Sequence, residues 1–104
     1  MINVLLGLIV VVSGLTVDKT TGFEPLQVHV RYRVPEGVEG RVCLQAVIGG
    51  IVANSTCWIQ RERDYPDVGT IFELDAGEWF IQATVDGLVQ ERKQVRVSEV
   101  VLKP

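Results

Sequence analysis

After Pro25 the chain alternates, with Leu26, Val28, Val30, Tyr32 and Val34 on one face and Gln27, His29, Arg31 and Arg33 on the other. A period of two predicts a half-buried β-strand. It stops at Pro35-Glu36-Gly37, where proline removes a ladder donor and glycine accepts turn dihedrals that other residues resist. Residues 41–48 are the next apolar run and 51–60 the return, so Gly49-Gly50 between them predicts a hairpin. The polar stretch 61–67 reads as a loop, followed by a short strand around Thr70, Phe72 and Leu74 and a turn at Asp75-Ala76-Gly77. Trp79, Ile81, Ala83 and Val85 then alternate with Glu78, Phe80, Gln82 and Thr84, and Asp86-Gly87 closes a second hairpin onto 88–97. About seven strands with turn signals at roughly ten-residue spacing predict an all-β antiparallel sandwich. Its expected core is the inward set Val28, Val30, Tyr32, Leu44, Phe72, Leu74, Trp79, Ile81, Val85, Val95 and Val97.

The start of the chain breaks this pattern. Ile2, Val4, Leu5, Leu6, Leu8, Ile9, Val10, Val11 and Val12 form a run with no charge, and the first charged side chain is Asp18. Such a run is removed, buried against protein or placed in lipid. As a strand or assembly arm it is supported by the β-branched Val10-Val11-Val12. As a secretory signal it has the length of an apolar core and small residues at Ser13-Gly14, but no Lys or Arg before it. As a membrane anchor it falls short of the roughly 20 apolar residues a bilayer crossing needs. All three remain open, and they divide the chain into an apolar segment, 1–14, and a domain, 15–104.

Composition sharpens the fold class. In 104 residues, 19 Val, 7 Ile and 6 Thr stand against 4 Ala, and β-branched side chains lose rotamer freedom in helices while fitting a pleated sheet. The length supports one domain, and 47% hydrophobic against 22% charged residues exclude disorder. A net charge of -3, from 13 acidic against 10 basic residues, gives nucleic acid no electrostatic reason to bind.

Two stretches resemble a known family. Thr16-Val17-Asp18-Lys19-Thr20-Thr21-Gly22-Phe23-Glu24-Pro25-Leu26-Gln27-Val28 looks like the opening of bacterial and phage immunoglobulin-like domains, in which a glycine and then Pro-Leu precede the second strand. Phe72-Glu73-Leu74-Asp75-Ala76-Gly77-Glu78-Trp79, with Ala83-Thr84-Val85-Asp86-Gly87, resembles their final strands. The resemblance implies an immunoglobulin-like sandwich over residues 15–98. It says little about function, because such sandwiches serve adhesins, enzyme accessory modules, pilus subunits and virion decoration proteins alike. The cysteines depart from the antibody pattern, whose pair is far more widely spaced.

Candidate chemistry is sparse. Cys43 and Cys57 flank the Gly49-Gly50 hairpin. A two-residue loop with regular pairing sets Cys43 opposite Thr56 and leaves the thiols on opposite faces, whereas a three-residue loop centred on Gly50, or one bulge, sets Cys43 opposite Cys57 and permits a disulfide. No CxxC or histidine-rich spacing makes a metal site, and no cofactor is expected. His29, the sole histidine, is expected at the surface. Glu62, Asp64 and Asp67, with Asp75 near the same end, offer oxygen ligands without an EF-hand spacing. Asn54-Ser55-Thr56 is a glycosylation sequon on a strand, Arg31, Arg33 and Arg41 are candidates for a basic stripe on one sheet, and Tyr65 offers a stacking face. Phe80, outward by alternation, marks a candidate contact with a partner. These features point to a non-catalytic subunit that docks into a larger assembly of its own or other proteins, on a virion or extracellular surface. The alternative is a secreted or membrane-anchored surface module that binds carbohydrate or protein, with 1–14 as its export signal.

Overall fold

A computed structural model of the protein describes residues 14–101, so the candidate contact residues Ile2 to Val12 lie outside the described residues. Among those described are eight strands and no helix: β1 (Leu15–Val17), β2 (Thr21–Phe23), β3 (Leu26–Arg33), β4 (Gly40–Ile48), β5 (Ile51–Gln60), β6 (Asp67–Leu74), β7 (Gly77–Val85) and β8 (Leu88–Ser98). They form two sheets, in the orders β1-β3-β6 and β2-β8-β7-β4-β5. The inward faces of both meet in one core.

The expected register holds along β3, whose side chains alternate buried and exposed from Leu26 to Arg33. Of the expected core, every residue is buried except Val85, which is half-buried and packs against the rest. Leu15, Leu26, Val34, Val42, Ala46 and Ala83 join it. The Trp79 ring is 7% exposed, and its indole Nε1 donates to the Asp75 carbonyl at 2.8 Å. A buried tryptophan therefore leaves no donor unpaired, and it also holds the turn into β7.

Pairing is antiparallel throughout with one exception, since β2 runs parallel to β8. The purely antiparallel expectation is corrected at Asp18-Lys19-Thr20. There the Asp18 carboxylate accepts the His29 N–H at 2.8 Å, filling with a side chain what the next residue of β1 would have filled with backbone. The chain leaves β3 and crosses to the other sheet, where Arg96 N–H donates to the Thr20 carbonyl at 2.8 Å. A Cβ at Gly22 would meet the Leu26 side chain, which would have to shift to admit it.

Both hairpins turn through positive φ. Gly49 and Gly50 have φ of 57° and 76°, and Asp86 and Gly87 have 49° and 85°, the double left-handed geometry whose twist matches two-residue hairpins. In the first, Ile48 pairs with Ile51 and Val47 with Val52, but Ala46 pairs with Asn54. Ala53 is the extra residue. This single bulge advances the register by one and places Cys43 opposite Cys57.

Candidate functional site

The outward face of the five-stranded sheet gathers the side chains best suited to a contact. Three cross-strand rows run over it. The first is apolar: Val52 of β5, Val47 of β4 and Phe80 of β7 stand in register. Phe80 is 37% and Val52 46% exposed. The Arg92 guanidinium lies over the Phe80 ring, 5.1 Å from its centre.

The second row is polar and crosses four strands. Arg92 Nη2 donates to Gln82 Oε1 at 3.4 Å, Gln82 Nε2 to Gln45 Oε1 at 2.8 Å, and Gln45 Nε2 to Ser55 Oγ at 3.5 Å. These groups satisfy one another sideways, which holds the amides in one orientation. In the third row, Cys57, Cys43, Thr84 and Val89 stand side by side. Cys43 and Cys57 form a disulfide with a Cα separation of 4.1 Å, the closeness of directly opposed residues in an antiparallel pair. The bulge thus decides between the two sequence readings in favour of the bond.

Beside this face lies an open edge. Among the described residues β5 pairs with β4 alone, and its residues 51–57 are all exposed. Inwardly, the Thr56 and Thr70 hydroxyls meet at 3.3 Å, and the Trp58 Nε1 donates to Gln60 Oε1 at 2.8 Å. The sequon Asn54-Ser55-Thr56 sits on this exposed edge.

Other candidates do not converge. His29 is exposed as expected, on the outer face of the three-stranded sheet. With Thr16, Arg31, Gly69 and Ile71 it lines a shallow hollow of about 680 Å³. Its backbone N–H holds the Asp18 carboxyl below the usual carboxylate range, with Lys19 assisting. The expected basic stripe is not formed, because Arg31 and Arg33 belong to β3 while Arg41 lies on β4 in the other sheet. Arg33 is also paired with Asp67 at 3.0 Å. The acidic set is divided too. Asp67 opens β6 and Asp75 follows its end, so roughly 26 Å of extended strand separates them. Asp64 accepts the Arg61 N–H at 2.8 Å, and among the described residues no group of three or more His, Cys, Asp or Glu could hold a metal ion. Tyr65 is exposed beside Arg31 and Asp67 in a smaller hollow.

Glu91 has a structural task that the sequence does not announce. Its carboxylate accepts the N–H groups of Gly14 at 2.7 Å and Leu15 at 3.3 Å, tying the start of β1 to β8 across the two sheets. Burial, with Glu91 nearby, raises the Tyr32 hydroxyl above its ordinary pKa. Sequence reasoning finds Phe80 on the outer face but misses Val47, Val52, Gln45, Gln82 and Arg92 as its companions. Alternation already directs Gln82 outward, and only register shows that these residues share rows. The chain matches no family model and no curated protein.

Proposed function

We propose that this is an immunoglobulin-like module acting as a structural subunit, which binds without a chemical step and docks into an assembly of like chains. The immunoglobulin-like reading is supported by the divided opening strand, with β1 at the edge of one sheet and β2 at the edge of the other. The docking reading is carried by one observation: the apolar row Val52, Val47 and Phe80, exposed at Val52 and Phe80 and half-buried at Val47, beside the edge of β5 that is left unpaired among the described residues. An exposed aromatic among apolar neighbours on a preorganised face has the composition of an interface centre. Its proposed occupant is the apolar segment Ile2 to Val12 of a neighbouring copy, which supplies the complementary uncharged surface.

A second reading is favoured by the disulfide. Bonds of this kind persist in oxidising compartments, and with 1–14 as an export signal the same face would serve an exported surface module that binds protein or carbohydrate. Mass spectrometry of the mature N-terminus separates the two. A chain starting at Met1 or Ile2 retains the segment and fits the assembling subunit, whereas a start at Leu15 overturns that reading in favour of export.

A further inference from the structure

The two sulfurs of the disulfide occupy unequal positions. Cys43 is 7% exposed, and on the side away from Cys57 its direct cross-strand neighbour is Thr84 of β7, itself 4% exposed. Cys57 is exposed and belongs to the edge strand, beyond which no strand follows among the described residues. The polar group touching it is the Ser55 hydroxyl, 3.3 Å from Sγ. Thiol–disulfide exchange proceeds by attack of a thiolate on one sulfur, and access decides which sulfur is taken. The attacker approaches in line with the bond, opposite the leaving sulfur. A cross-strand bond runs from one strand to the other, so the path to Cys43 comes over β7, where Thr84 stands. The path to Cys57 comes from the open edge.

We infer that Cys57 is a site of reversible thiol exchange, open to a small thiolate from solvent. The thiolate sulfur attacks Cys57 Sγ and forms a new S–S bond there. The Cys43–Cys57 bond breaks, and its electron pair leaves on Cys43, which takes a proton from water. One disulfide replaces another, so no oxidant or reductant is consumed. Cys43 stays opposite Cys57 in the β4–β5 ladder and, once deprotonated, attacks Cys57 again, expelling the small thiol. In the opened form β5 keeps its backbone pairing with β4 but loses its covalent tie.

The test is incubation of the oxidised full chain with excess reduced glutathione, acid quenching at early times, and peptide mapping by mass spectrometry. One glutathione per chain is expected, on Cys57 in preference to Cys43 by about tenfold or more. In Thr84→Ala, which clears the path to Cys43, the share on Cys43 should rise several-fold. Adducts divided evenly between the two cysteines of the parent protein, or found mainly on Cys43, would overturn the inference. So would a folded protein that takes up no glutathione under conditions that label the urea-unfolded chain.

Discussion

Trp79 and Phe80 are neighbours in sequence with opposite tasks, because successive side chains of a strand face opposite ways. Trp79 fills the core and donates to Asp75, so Trp79→Ala should cost about 3 to 5 kcal/mol in urea unfolding. Phe80 meets solvent and Arg92, and Phe80→Ala should cost less than about 1 kcal/mol, the scale of an exposed cation–π contact. If Phe80 is a docking anchor, its loss should instead reduce the assembled fraction in sedimentation. A large stability loss with unchanged assembly would make it a packing residue. Asp18 gives a pH-dependent counterpart. Its pKa is lowered in the fold, first by the His29 N–H and then by Lys19, so its contribution is present above the unfolded carboxylate pKa of about 3.9 and is lost as pH falls through the folded value. Asp18→Asn should therefore be less stable than the parent at about pH 7, with the gap narrowing as the pH falls below about 3.9. A gap that widens on acidification would contradict the assignment.

At the scale of elements, the β4–β5 hairpin shows how one residue sets chemistry. With Ala53 in place the ladder slips once, and from Asn54 onward each inward residue of β5 opposes an inward residue of β4. Deleting Ala53 should leave a regular hairpin from the Gly49-Gly50 turn that still opposes Cys43 to Cys57. Thiol titration of the unfolded variant should accordingly find no free cysteine, whereas two free thiols would mean that the bulge itself brings the sulfurs together. Replacing both cysteines with serine should cost about 3 kcal/mol for a loop of this length, if the bond acts by restricting the unfolded chain.

The same hairpin marks where the sequence stops being legible. β3 and β7 read directly because each has one face in the core, and burial on one face imposes alternation. β5 lies at the edge of a five-stranded sheet facing a three-stranded one. Residues 51–57 overhang the core, so burial places no demand on Ile51, Val52 or Ala53, and nothing marks the bulge in advance. The opening of the chain fails differently. β1 and β2 are three residues each, too short for periodicity, and their partners are chosen by Asp18, Glu91 and the space over Leu26. Of the outer face, Phe80 was legible from alternation and the disulfide was one of two registers, but the rows joining them depend on pairings between strands far apart in sequence.

For the whole molecule, the apolar segment and the apolar row raise one physical problem between them. Ile2 to Val12 carries no charge, and its 11 residues could extend about 36 Å at roughly 3.3 Å each, enough to reach beyond a small domain. It is joined to the fold at Gly14, whose N–H is clamped by Glu91, while Phe80 and Val52 remain exposed on the five-stranded sheet. Apolar surface gains by leaving water, at roughly 25 cal/mol per Å², and in the proposed assembly the segment of one copy would cover the row of the next. Deleting residues 2–12 should then give a folded monomer, with the Cys43–Cys57 bond intact and the urea midpoint little changed, that no longer assembles in sedimentation velocity. Phe80→Ala in the full chain should weaken the same assembly from the receiving side. A truncated chain that assembles like the parent would remove the segment from the interface, and a full-length chain that stays monomeric at high concentration would remove self-assembly altogether.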